Sequence, residues 1–177
     1  MPKRSKKQIE SDETKILQEL GKKANKSINE IAKKCGFSRQ KVWRIIKRLE
    51  KNNTIWGYIT VIDHYTQGLK SFCVLIKKTN QPISETLLEN ITKRKLEKMA
   101  EKVGVTIECS SYMNGLYDWL IHFTCQDIKQ AKKFCEVLNI TYKGYIQELE
   151  LLEEMFPIKI YGIVNPEVEK LREFVDI

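Results

Sequence analysis

The sequence predicts an α+β protein of two parts, in which three short helices precede one β-α-β-β-α-β unit. Apolar residues recur at helical spacing through the first fifty residues, whereas the later segments alternate strand-like runs with helical stretches. The charge divides at the same place. Residues 1–53 carry 16 Lys+Arg against 6 Asp+Glu, and the remainder carries 15 against 17. The basic excess therefore belongs to the helical part and indicates a polyanionic partner.

The composition argues against several classes of protein. No apolar run approaches the roughly 18 residues of a membrane span, and the N-terminal MPKRSKKQIESDE lacks the apolar segment of a signal peptide. The five cysteines are widely spaced and form no C-x-x-C, which favours free thiols in a reducing, cytoplasmic protein. We expect no metal and no other cofactor.

The first part begins with basic residues. Residues 1–10 contain Lys3, Arg4, Lys6 and Lys7 and almost no apolar side chain, so we expect a disordered basic arm. A first helix is then predicted from a cap at Ser11 or Asp12. Its apolar positions are Ile16, Leu17, Leu20 and Ala24.

Two further helices are bounded by clear signals. Ser27 and Glu30 have the spacing of a capping box, which begins the second helix. Gly36 suits the left-handed turn that ends it. Ser38 then caps a third helix that runs to about Lys51. A helix, a short turn and a second helix together form a helix-turn-helix.

The third helix has two different faces. Its apolar stripe is Val42, Ile45, Ile46 and Leu49, and six lysines and arginines lie between Arg39 and Lys51. Arg and Gln read base edges in the major groove, whereas Lys mostly contacts phosphate. For Trp43 we favour packing over a DNA contact. The predicted DNA-binding residues are Ser38, Arg39, Gln40, Trp43, Arg44, Lys47 and Lys51, with Lys3, Arg4, Lys6 and Lys7 of the arm.

The alternation of residues 55–62 predicts a strand or a tight β-hairpin directly after the third helix. A hairpin at this place would be a wing, so a winged DNA-binding domain would span residues 11–63. Residues 64–70 are predicted to be a linker.

The sequence of the second part, residues 71–165, predicts a ferredoxin-like fold, and residues 166–177 are predicted to form a terminal helix. Its predicted elements are strands at 71–79, 105–113, 116–124 and 143–163, helices with a bend at 82–104 and a helix at 128–138, with a tight turn at Asn114-Gly115.

The motifs in both parts resemble the leucine-responsive regulatory protein/AsnC family, the feast/famine transcription regulators of bacteria and archaea. In the first part the resemblance rests on Asp12…Ile16-Leu17…Leu20, Ser27…Glu30-Ile31-Ala32…Gly36-Phe37-Ser38…Val42…Ile46…Leu49-Glu50 and Ile55…Gly57-Tyr58…Ile62-Asp63…Gly68. In the second part it rests on Gly115…Tyr117-Asp118 followed by Asp127 and a helix.

The resemblance implies a sequence-specific DNA-binding regulator. Its partners would be double-stranded DNA, a second copy in a homodimer or higher oligomer built through the ferredoxin-like sheets, and a small effector such as an amino acid. The residues near the effector site would be Asn114, Gly115, Tyr117 and Asp118. The alternative for these residues is a plain hairpin turn.

Two other functions remain as alternatives. A haem-precursor decarboxylase shares the two-domain architecture, but its members carry histidine and arginine where this chain reads ECSSYMNGLYDWL. A non-specific RNA-binding or architectural protein would need only the basic arm. His64 and His122 lie far apart and no nucleophile has a catalytic motif, so we expect no enzyme and assign no catalytic residue.

Overall fold

The computed structural model describes residues 5–175, which divide into two compact units. The first comprises the residues up to Val61 together with Ile158–Glu169. The second comprises Ile62–Pro157 and the residues from Lys170 onward. Each unit has its own cluster of buried apolar residues.

The N-terminal part of the first unit contains three helices: α1 (Lys6–Lys22), α2 (Ile28–Cys35) and α3 (Arg39–Lys51). The apolar stripe predicted for α3 is confirmed, because Val42, Ile45 and Leu49 are buried and Ile46 packs against them. The core of this unit consists of Ile16, Ile31, Ala32, Val42, Ile45 and Leu49.

The predicted caps of α2 and α3 are confirmed. The Ser27 hydroxyl accepts a hydrogen bond from the Glu30 N–H at 3.2 Å, and the Glu30 carboxylate accepts one from the Ser27 N–H at 2.8 Å. The second bond favours the ionised carboxylate and lowers the pKa of Glu30. Gly36 has a φ of +68°, where a side chain would be strained, and Ser38 accepts from the Lys41 N–H at 3.3 Å. These caps fix both ends of the turn between α2 and α3.

The predicted start of the first helix at Ser11 or Asp12 was wrong. Helix α1 begins at Lys6, because the Ser5 side chain caps it by accepting from the Gln8 N–H, and the charged residues that follow are good helix formers. Lys6 and Lys7 are therefore exposed helical residues rather than part of a disordered arm. Lys3 and Arg4 lie outside the described residues.

The hairpin predicted at residues 55–62 was also wrong, because these residues form neither strand nor helix. Trp56 is 95% exposed, and Tyr58 and Ile59 are more than half exposed. An alternating pattern fixes a strand register only when one of its faces is buried, and an isolated two-stranded ribbon is marginal in water. Ile55 at the start of the segment packs partly against the core of the first unit, but the residues from Trp56 to Thr60 are exposed, so the alternation has no continuous buried face.

The second unit contains a four-stranded antiparallel sheet in the order β2-β3-β1-β4, formed by β1 (Lys70–Lys78), β2 (Thr106–Tyr112), β3 (Trp119–Cys125) and β4 (Ile146–Glu153). Helices α4 (Glu85–Thr92) and α5 (Lys95–Lys102) connect β1 to β2, and α6 (Ile128–Thr141) connects β3 to β4. This is the predicted ferredoxin-like arrangement. The predicted bend is also confirmed, because Arg94 between α4 and α5 has a φ of +54°.

One face of the sheet carries the core. Phe72, Val74 and Ile76 of β1 are buried, and Phe123 packs on Phe134 of α6 with ring centroids 4.9 Å apart. Cys73 and Leu75, the alternate residues of β1, are only half-buried. The helices of the second unit therefore cover one face of its sheet and leave the other face without a helix from that unit.

Four segments differ from the predictions. Pairing of β2 with β3 ends at Tyr112 and Trp119, so Asn114-Gly115 lies in a six-residue loop rather than in a two-residue turn. After Glu153 the chain leaves the sheet, and positive φ angles at Tyr161 and Gly162 turn it between β5 (Lys159–Ile160) and β6 (Ile163–Val164). The predicted terminal helix is a short 3₁₀ helix at Val168–Glu173, and the predicted linker contains another at Tyr65–Gln67.

Replacing Ser27 with alanine should lower the free energy of unfolding of the first unit by about 1 kcal/mol, because the Glu30 N–H loses its cap. Urea denaturation followed by circular dichroism measures the change. Ser11→Ala is the matched control, since Ser11 is an exposed residue within α1 and should have little effect. Equal stabilities for the two variants would contradict the role of the cap.

Candidate nucleic-acid interface

Helix α3 presents a packed face and a free face. The packed face contacts α1 and α2 through Val42, Ile45 and Leu49, each of which is at most 6% exposed. The free face consists of exposed side chains at Arg39, Gln40, Arg44, Lys47 and Lys51. Ser38 stands at the N-terminal end of α3, where its side chain is committed to the cap. The structure thus places the predicted DNA-binding residues of α3 on one exposed surface.

The cations of the free face differ in their partners. Lys47 pairs with Glu50 at 2.8 Å, and the Arg44 Nε–H donates to the Gln40 carbonyl at 3.3 Å. Among residues 5–175, no carboxylate forms an ion pair with Arg39, Arg44 or Lys51. These three side chains are available to an outside anion without breaking an ion pair.

Glu50 joins α3 to the chain that follows it. Its carboxylate accepts hydrogen bonds from the Lys47 ammonium at 2.8 Å and from the Tyr58 hydroxyl at 3.0 Å. The Lys47 bond, and then the Tyr58 bond, lower the pKa of Glu50. Burial and the hydrogen bond to Glu50 raise the pKa of Tyr58. Glu50 therefore holds both the side chain of Lys47 and the irregular segment after α3.

Trp43 lies at the edge of the free face and is 51% exposed. The packing that the sequence favoured for Trp43 was therefore wrong, because the core of this unit closes without its ring. Together with Ile28, Arg39 and Gln40, it lines an open cavity of about 440 Å³ at the N-terminal end of α3.

Two cations of α3 serve its attachment to α1. The Lys41 ammonium lies 2.7 Å from the Asp12 carboxylate and 3.4 Å from the centroid of the Phe37 ring. Asp12 is 2% exposed. Arg48 pairs with Glu13 at 2.8 Å. Sequence reasoning missed the role of Lys41, although Asp12 stands four residues before Ile16 on the same buried side of α1.

The loop between β2 and β3 contains the residues predicted to lie near an effector. Two of these residues already form hydrogen bonds within the second unit. The Asp118 carboxylate accepts from the Lys78 N–H at 2.9 Å, and the Tyr117 hydroxyl donates to Glu150. The bond to Glu150 raises the pKa of Tyr117. Asn114 and Gly115 are exposed at the tip of the loop. The structure brings these residues onto one loop, but Asp118 serves mainly to brace its base.

The cysteines and histidines form no comparable site. Burial raises the pKa of the Cys135 thiol to about 11, and also raises those of Cys73 and Cys125. In the described part of the chain, no three His, Cys, Asp or Glu side chains are grouped so that they could hold a metal ion. Nor does any described helix have the length and the apolar content of a membrane span.

Known proteins resemble this chain in sequence and in fold. A family described as winged helix-turn-helix DNA-binding matches residues 12–55. The HTH-type transcriptional regulator LrpB of Bacillus subtilis (strain 168) is 28% identical over 138 residues, which cover 71% of this chain and 93% of LrpB.

Solved structures share the fold of nearly the whole chain. An AsnC family transcriptional regulator from Agrobacterium tumefaciens is 21% identical, with a TM-score of 0.63 over 88% of this chain and 96% of that one. The transcriptional regulator NMB0573 from Neisseria meningitidis, solved as a complex with L-Met, is 15% identical, with a TM-score of 0.60 over 98% of this chain and 100% of that one.

Replacing Asp12 with asparagine should destabilise the first unit by about 3 kcal/mol, because the charge of the largely buried Lys41 loses its counter-ion. The half-exposed Arg48 pair supplies the control, and Glu13→Gln should cost less than about 1 kcal/mol. Urea unfolding of the two variants measures the difference. If both lost the same stability, the Asp12–Lys41 pair would be no more than a surface ion pair.

Proposed function

We propose that this chain, a helix-turn-helix transcription regulator of the leucine-responsive regulatory protein/AsnC family, binds pseudo-palindromic operators as a dimer or a higher oligomer. The observation that carries the proposal is the free face of α3, which is exposed and basic while its opposite face is packed in the core. A helix with these two faces is held firmly by the protein and still has side chains with which to probe a groove.

The residues of this face have separate roles in the proposal. Arg39, Gln40 and Arg44 reach base edges, because guanidinium and amide groups match the donor and acceptor patterns of the major groove. Lys47 and Lys51 contact phosphates, which position the helix without reading sequence. Lys6 and Lys7 on α1, with Lys3 and Arg4 before it, add further phosphate or minor-groove contacts.

The open face of the sheet supports a dimer. Cys73 pairs with His122 and Leu152 on the adjacent strands, and Leu75 pairs with Leu120 and Glu150. The apolar side chains of this face, Cys73, Leu75, Leu120 and Leu152, are not covered by the helices of the second unit. A second copy would bury them against the same face. In such a dimer two α3 helices meet half-sites about one helical turn, roughly 34 Å, apart.

A small effector is the second part of the proposal, and an amino acid is its most direct form, since the relative from Neisseria meningitidis was solved with L-Met. The loop that carries Asn114, Gly115, Tyr117 and Asp118 is the proposed location. Asp118 already accepts a backbone N–H, so an effector's ammonium group would share that carboxylate rather than find it free. Because the proposed partner is genomic DNA, we also propose a cytoplasmic protein, and we propose no catalytic activity.

Selection from random-sequence duplex DNA tests the proposal. The retained fragments should share a two-fold-symmetric motif whose half-sites lie about one turn apart. If the dimer neutralises about eight phosphates, affinity for the recovered operator should fall on the order of 10³–10⁵-fold between 50 and 200 mM salt. The same operator provides the assay for amino-acid effectors, since a bound effector would shift its dissociation constant.

Other outcomes of the selection would contradict the proposal. Retention without an enriched motif would identify a non-specific nucleic-acid-binding protein, and a salt slope near zero would exclude the phosphate contacts. Failure to retain any DNA at low salt would contradict the role of α3 itself.

Arg44→Ala should weaken operator binding by about 1–3 kcal/mol and relax the preference at one position of each half-site, because it removes a base contact. Lys51→Ala is the matched control from the same face. It should weaken binding to all sequences alike and reduce the salt slope by about one for each protomer. Titrations by fluorescence anisotropy at several salt concentrations distinguish the two variants. Unchanged affinity and preference in Arg44→Ala would mean that the arginine is merely solvated.

A further inference from the structure

The cavity at the N-terminal end of α3 combines apolar walls with hydrogen-bond donors. Ile28 at the start of α2 and the Trp43 ring supply the walls, and Arg39 and Gln40 supply the donors. Its volume of about 440 Å³ is open to solvent on the same side as the free face of α3. The first turn of a recognition helix is also the part that contacts base edges in helix-turn-helix proteins.

Within residues 5–175, Trp43 belongs neither to the buried core of the first unit nor to the residues packed against that core. The core of the first unit closes through Ile16, Ile31, Val42 and their neighbours without it. Across residues 5–175, the Trp43 indole takes part in no hydrogen bond, ring contact or cation–π contact. A large apolar side chain that is half exposed among cations has a surface left for an apolar partner.

The chemistry of a base-pair edge identifies that partner. The edges of the four bases in the major groove carry hydrogen-bond donors and acceptors, and the C5-methyl of thymine is the apolar group among them. Arg39 beside the cavity suits guanine, and Gln40 suits adenine. Apolar walls flanked by these two donors therefore match a thymine methyl with a purine next to it.

We propose that Trp43, supported by Ile28, is a specificity-determining contact that receives the C5-methyl of one thymine in each operator half-site. This inference rests on the proposed function, since it requires α3 to enter the major groove. It assigns a base preference to the apolar side chain at the edge of the free face.

The experiment uses the operator recovered by selection and the full chain. Each thymine in turn is replaced by deoxyuracil at both symmetry-related positions, which removes only the methyl. At one position the wild-type affinity should fall about fourfold per half-site, the factor that corresponds to one methyl-sized group removed from water. Losses at well-separated sites add as free energies, so the doubly substituted operator should lose roughly 15-fold. Cytosine at that position should bind weakly, and 5-methylcytosine should recover part of the loss.

Protein variants assign the methyl to the side chain. Trp43→Ala should bind the thymine and deoxyuracil operators equally, whereas Trp56→Ala should keep the difference. Trp56 is the matched control, because it is an exposed tryptophan of the same unit. Ile28→Ala should reduce the difference. Thermal melting and low-salt binding to random DNA show whether each variant is folded, and the deoxyuracil scan with wild-type protein needs no variant.

The possible results distinguish the Trp43 contact from the proposed function on which it rests. A selected motif in which deoxyuracil is neutral at every thymine would overturn the assignment of Trp43 and leave the regulator intact. A deoxyuracil penalty that persists unchanged in Trp43→Ala would assign the methyl to another residue. No selected motif would overturn the proposed function and the Trp43 contact with it.

Discussion

The buried ion pair between Asp12 and Lys41 determines how α3 is presented. It joins the middle of α1 to the first turns of α3, and Asp12 has almost no access to solvent. This pair opposes rotation of α3 about its axis, because rotation would separate the Lys41 ammonium from the nearly inaccessible Asp12 carboxylate. The buried stripe of Val42, Ile45 and Leu49 also opposes this rotation. The free face therefore has a fixed orientation, which reading a groove requires.

The parts of the fold that the sequence predicted are those encoded locally. Ser27, Glu30, Gly36 and Ser38 act through bonds to residues within three or four positions, so their roles follow from spacing alone. The order of strands and helices in the second unit likewise followed from hydrophobic period. The start of α1 was missed because a polar helix has no apolar period to reveal it. The opposite error occurred at residues 55–62. There the alternating pattern predicted a strand or hairpin, but the segment has no continuous buried face and is irregular.

The candidate site was predictable in outline but not in detail. Gln40, Arg44, Lys47 and Lys51 follow from the helical angle opposite Val42, and Arg39 follows from its place in the first turn of the helix. The sequence does not show which cations of α3 form ion pairs within the protein. Lys41 and Arg48 pair with carboxylates of α1, and only the tertiary structure brings these residues together. The commitment of Asp118 to the Lys78 N–H was hidden for the same reason, as 40 residues separate the two partners.

If Lys47 contacts a phosphate as proposed, its pairing with Glu50, which also accepts from Tyr58, makes DNA binding an exchange of one anion for another. Before DNA arrives, a carboxylate already occupies the position beside Lys47 that a phosphate would take. A phosphate that binds Lys47 must displace it, so the gain is the difference between two anions rather than the full attraction of one. The Glu50 carboxylate thus competes with a DNA phosphate for Lys47. Release of Glu50 would also free Tyr58, so occupancy of the groove would loosen the segment that leads away from α3.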